Sequence, residues 1–184
     1  MLDLLHQKAY EESKKRNPDS DDAALHDTAE RLAISSLRFF LTKTDLTKDI
    51  TFDLDEVLDM EGETGAYVLY SYARLHNVIT QNSTLNTQNS IDYSLLVDEV
   101  EWEMVKEMDK FESVVTATRE GLAPHLLCRY VLQMCTLLNR YYAKVNIKFS
   151  EEEIKKARIA LLQQFQKTLR EAMHLAGLQE VERM

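Results

Sequence analysis

The chain has 184 residues, 45% of them hydrophobic, with 22 Lys+Arg against 31 Asp+Glu, a formal net charge of -9 and a pI near 5.1. That length fits one domain, or one with a helical appendage, and it can bury a core without disulfide staples. Four glycines and two prolines leave little for a sheet with many tight turns or for a glycine-rich phosphate loop. Taken as a single number, the acidity also argues against nucleic acid.

Residues 2–16 set Leu2, Leu4, Leu5, Ala9 and Tyr10 against a charged opposite face, the helical period. Asn17-Pro18 ends that run, and Asp19-Ser20-Asp21-Asp22 opens a second helix that extends to about Thr42. Residues 43–54 are less periodic and hold the best strand candidate, Ile50-Thr51-Phe52. Gly62 and Gly65 bracket a turn, after which a helix is expected from about Gly65 to Thr80. The polar, Asn-rich stretch 81–92 is the expected loop and internal boundary. Helices then follow over roughly 94–110 and 111–120, with a stop at Gly121, and from Pro124 to Val145. Ser150 with Glu153 has the spacing of a capping box for a last helix to Leu175, closed by Gly177.

No stretch approaches the apolar length of a membrane-spanning helix, and residues 1–16 lack a signal-peptide pattern. A soluble, cytoplasmic protein is the expectation. Cys128 and Cys135 lie two helical turns apart, beyond disulfide reach, and read as buried thiols. The carboxylates of 53–63 lack calcium-loop spacing and an accompanying histidine, so they read as solvated helix-start acids. The five histidines are scattered, and no catalytic constellation or metal site emerges.

Charge is segregated along the chain. Residues 1–121 carry 12 basic and 25 acidic side chains, whereas 122–184 carry 10 and 6. Between Thr64 and Ile91 Arg74 is the sole Lys, Arg, Asp or Glu. Tyr67, Tyr70 and Arg74 share one face of the expected helix at i, i+3 and i+7. Such a face suits stacking on unpaired bases, with the guanidinium supplying cation–π and phosphate contacts. The same spacing also fits two core tyrosines with satisfied hydroxyls and an arginine in an edge ion pair. Tyr72 falls on another face and reads as packing. The basic run Arg129, Arg140, Lys144 and Lys148, interleaved with Asn139, Tyr141 and Tyr142, either borders an RNA groove or docks as a solvated face on the acidic half.

The stretch DITFDLDEVLDMEGETGAYVLYSYAR, residues 49–74, resembles the arginyl-tRNA synthetase segment that leads from the catalytic core into the anticodon-binding domain. There the family typically reads F-D-x-D…EGNTGPYVQYAYAR. The likeness continues through Glu101-Trp102-Glu103, Pro124-His125…Arg129-Tyr130, Leu138-Asn139-Arg140-Tyr141-Tyr142 and the Glu182-Arg183-Met184 end, covering essentially the whole chain. It implies an all-α helical bundle of the class I synthetase anticodon-binding type, with 1–60 as an N-terminal helical connector and 61–184 as the bundle. The implied partner is the anticodon stem-loop of an arginine tRNA, contacted by Tyr67, Tyr70, Arg74 and Met184. Arg129, Arg140 and Lys144 would supply phosphate contacts.

The family's HIGH-like and KMSK-like motifs do not occur in the sequence. The chain alone is therefore not expected to activate arginine or to hold a cofactor, ATP belonging to a catalytic domain joined in cis or in trans. The connector is expected to expose apolar surface, which allows weak self-association. The rival expectation is a free-standing helical adaptor that binds protein rather than tRNA. Departures from the family pattern at Glu63, Ala66 and Leu69 bear on the helix start and on one polar contact.

Overall fold

The computed structural model describes residues 2–83, 85 and 91–181, and among these every regular element is helical. Helix α1 (Leu2–Arg16) packs antiparallel to α2 (Asp22–Thr42) through Leu5 and Ala9. The Asp21 carboxylate accepts from the Ala23 amide and so caps the α2 start. One turn of helix, α3 (Leu54–Val57), is capped by Asp53, whose Oδ1 accepts from the Asp55 and Glu56 amides. Helix α4 (Gly65–Gln81) begins where the Thr64 hydroxyl accepts from the Tyr67 amide.

The second half holds α5 (Glu99–Asp109), α6 (Phe111–Gly121), α7 (Pro124–Lys144) and α8 (Glu152–Leu175). Helices α4, α7 and α8 pack against one another, α5 closes α7 and α8, and α2 packs on α4. One apolar core runs through them, from Leu5 and Phe39 to Leu69, Met134, Leu138 and Phe165. Cys128 and Cys135 are free thiols within it, as their spacing implied. Burial pushes the Cys135 thiol up to about 12, and a Ser71 hydrogen bond opposes that only in part.

Gly65 permits a close approach between two helices. A Cβ at this position would stand 2.7 Å from the Ser36 α-carbon and 3.1 Å from the Ser35 carbonyl oxygen. The α4 start therefore lies directly on the α2 backbone, which only glycine permits. Ala66 and Leu69, two departures from the family pattern, are both fully buried.

The structure corrects three expectations. Residues 50–52 form no strand, because no second strand lies beside them among the described residues. Phe52 instead packs edge-on against Phe40, with ring centroids 5.5 Å apart. The expected 94–110 helix divides into a 3-10 turn at Tyr93–Leu95 and α5. Ser150 does not cap α8, since its hydroxyl donates to the Asn146 carbonyl and accepts from Arg158 Nη1 at 2.7 Å. The capping box lies at Asp98 and Glu101 on α5. Gly121 is the last residue of α6, and Leu122 takes the left-handed turn with φ of 49°. Among the described residues no helix is long and apolar enough to cross a membrane, and no cluster could hold a metal ion.

Candidate nucleic-acid interface

Helices α4 and α7 climb side by side in the same direction. Asn139 meets Tyr67 and Ser71, and three residues further on Tyr142 meets Arg74. The Tyr67–Tyr70–Arg74 face rides on this pairing, and its three members fare differently. Tyr67 is half-buried, and its hydroxyl oxygen accepts from Asn139 Nδ2 at 2.8 Å. That contact leaves the phenolic proton free to be donated outward. Tyr70 is 37% exposed on the solvent side of the helix. Arg74 is exposed, with its guanidinium carbon 4.5 Å from the centroid of the Tyr142 ring. No carboxylate among the described residues lies within ion-pair distance of Arg74. The edge ion pair of the alternative reading is absent from its described surroundings, while the satisfied hydroxyl is realised at Tyr67 alone. Tyr72 is buried, as packing requires.

The Tyr142 hydroxyl beneath Arg74 is buried with no hydrogen-bond partner among the described residues. Burial raises the Tyr142 phenol well above its ordinary value, against the opposing pull of the Arg74 charge. The ring therefore stays neutral and lies under the guanidinium as a cation–π partner.

Arg74 and Tyr142 also form one wall of a cleft of about 520 Å³ at the C-terminal ends of α4 and α7. Lys144, Lys148 and Lys155 line it with the amides of Gln81, Asn82 and Asn146, and among the described residues no carboxylate does. Lys155 joins from α8, which sequence spacing gave no means of placing beside α4.

The remaining expected residues separate. Arg140 is exposed but holds Glu103 of α5 in an ion pair, so that part of the basic run docks on the acidic half. Arg129 is exposed near the start of α7, eleven residues before Arg140 and thus about 16 Å from it along the helix axis. Met184 lies outside the described residues. The carboxylates of 53–63 cap turns or meet lysines: Glu56 contacts Lys43, Asp55 contacts Lys8, and Asp59 accepts from the Glu61 amide.

Residues 68–184 match the family model described as the DALR anticodon binding domain. The chain is similar over its full length to the arginine–tRNA ligase of Clostridium beijerinckii, at 31% identity and covering 33% of that protein. It is likewise similar to that of Clostridium kluyveri, at 32% identity and 32% coverage. Thermus thermophilus arginyl-tRNA synthetase superposes on the whole chain with a TM-score of 0.91 at 28% identity, over 31% of its own length. The Plasmodium falciparum arginyl-tRNA synthetase shares the fold, with a TM-score of 0.86 at 22% identity. The chain thus spans about a third of the length of the relatives it matches.

Proposed function

The chain belongs to the DALR anticodon binding domain family, and we propose that it binds the anticodon arm of an arginine tRNA. The observation that carries this reading is the exposed Tyr70–Arg74 stripe, free of carboxylates among the described residues and leading into a cleft lined by lysines. Loop bases splayed from their stack would lie on Tyr70 and on the exposed edge of Tyr67, whose hydroxyl proton is left to meet a base or phosphate oxygen. Arg74, stacked on Tyr142, offers its N–H edges to phosphate. Lys144 and Arg129 add phosphate contacts, and Arg140 does so by exchanging Glu103 for a phosphate. Met184 is proposed to pack near the bound loop.

Residues 1–60 are the proposed connector toward a catalytic domain, in cis or in trans. Leu4, Leu41, Leu46 and Ile50 are exposed there, an apolar surface for that domain or for weak self-association. Arginine–tRNA ligation belongs to the joined assembly, with ATP bound by the catalytic domain. The test is fluorescence anisotropy with arginine tRNA transcripts carrying the native and an altered anticodon. Preference for the native anticodon is expected. Equal binding of the two, or none, overturns the reading and favours a helical adaptor for protein partners.

A further inference from the structure

We propose that the cleft beyond Arg74 is a phosphodiester track for the RNA strand leaving the Tyr70–Arg74 stripe, with Lys148 and Lys155 as its additional cations. The proposal rests on the tRNA-binding reading and adds to it a site formed by three helices and the α7–α8 connection.

In an acidic chain of net charge -9, cations readily find carboxylate partners. On the first turns of α8, Lys156 meets Glu152 and Glu153, and Arg158 meets the buried Glu101. On α7, Arg140 meets Glu103. Lys155 lies between these paired residues in sequence, yet it turns into the cleft and meets no carboxylate among the described residues. Lys144, Lys148 and Arg74 are likewise without one among the described residues, and Lys148 lies over the Phe149 ring at 5.9 Å. Lys144 stands on the rim, where a neighbouring depression carries Asp98 and Glu151. Four like charges around one concavity repel each other and concentrate a positive potential there, an arrangement that attracts an anion.

The chemistry of the cleft selects the kind of anion. Its volume of about 520 Å³ lies within the range of roughly 300–1,000 Å³ common to ligand sites. A single carboxylate would leave most of the four cations unmatched, whereas successive phosphates on one strand supply a charge for each. The amides of Gln81, Asn82 and Asn146 add neutral polar groups suited to sugar and phosphate oxygens, over walls that include the buried Val145 and Ile147. Arg74 belongs both to the aromatic stripe and to the cleft, so a strand stacked on Tyr70 continues into the track without a gap.

The test is the salt dependence of binding by the full 184-residue chain to an arginine tRNA transcript, followed by anisotropy across a KCl series. The Lys148→Gln/Lys155→Gln variant is expected to lower the slope of log K against log[KCl] by about 1.4, roughly 0.7 for each single-strand phosphate that the protein no longer neutralises. A Lys106→Gln/Lys167→Gln variant removes the same charge from exposed positions outside the cleft and is expected to leave the slope near wild type. Lys148→Arg/Lys155→Arg keeps both charges and is expected to keep the slope, which separates the missing cations from a damaged fold. Equal slopes in wild type and both glutamine variants overturn the track while leaving the tRNA-binding reading intact. An equal fall in both glutamine variants does the same, assigning the effect to bulk charge. Absence of tRNA binding by the wild-type chain overturns both readings.

Discussion

Arg74 rests its guanidinium 4.5 Å above the ring of Tyr142, on a tyrosine whose own hydroxyl is buried without a partner among the described residues. The ring is used as a surface, and the hydroxyl costs the free energy of an unmet hydrogen bond. Tyr142→Phe keeps the plate and removes the orphan oxygen. It is expected to stabilise the fold by about 1 kcal/mol in urea unfolding, with tRNA affinity unchanged. Destabilisation would mean that the hydroxyl has a partner, such as an ordered water.

Gly65 supports the same helix from below. Gly65→Ala drives a methyl group into the α2 backbone at Ser36, and α4 must shift to relieve it. The expected loss is about 2 kcal/mol of stability, within the usual range for overpacking. Unfolding midpoints measure it directly, and a neutral result would contradict the close helix approach.

Glu101 is fully buried, with one carboxylate oxygen accepting from Arg158 Nε at 2.8 Å and the other from the Asp98 amide at 3.0 Å. Arg158→Met leaves that carboxylate without its counter-charge and is expected to cost about 3–5 kcal/mol. Adding Glu101→Gln to the variant should recover much of the loss. Full additivity of the two substitutions would exclude the coupling.

The thiols provide a pH test. Burial raises both, Cys135 to about 12 from 9.0, while the folded chain keeps them protonated. Because the folded value lies above the unfolded one, their contribution to stability is complete below about pH 9 and is lost as pH rises toward 12. Native protein is expected to leave both cysteines unreacted with a thiol reagent at pH 8, and urea-unfolded protein to release two equivalents. Rapid reaction of either in the native state would contradict the burial.

The helices and the stripe were legible because they depend on periodicity within one segment. Apolar positions recurring every three to four residues gave α2, α4, α7 and α8, and Tyr67, Tyr70 and Arg74 fell on one face for the same reason. What depends on a second helix was not legible. Asn139 bonds Tyr67 across 72 residues of sequence, and Arg140 is engaged by Glu103, a pairing set by how α5 packs on α7. Lys155 enters the cleft because α8 passes it, while its own segment reads as an ordinary charged helix start. The misplaced cap has a similar origin: the Ser150 hydroxyl meets Arg158 and the Asn146 carbonyl, so the spacing to Glu153 was present but unused. The left-handed turn at Leu122 sits beside a glycine that would have filled it at lower cost.

The most direct measurement is the affinity of the Tyr70→Ala and Arg74→Ala variants for an arginine tRNA transcript at fixed salt. Both side chains are exposed, so thermal unfolding should match wild type. Each variant is expected to bind about 1–3 kcal/mol more weakly, Tyr70→Ala by losing the aromatic platform beneath a stacked base and Arg74→Ala by losing a charge-assisted contact to phosphate. Wild-type affinity in both would contradict the proposal that this face of α4 holds the anticodon arm.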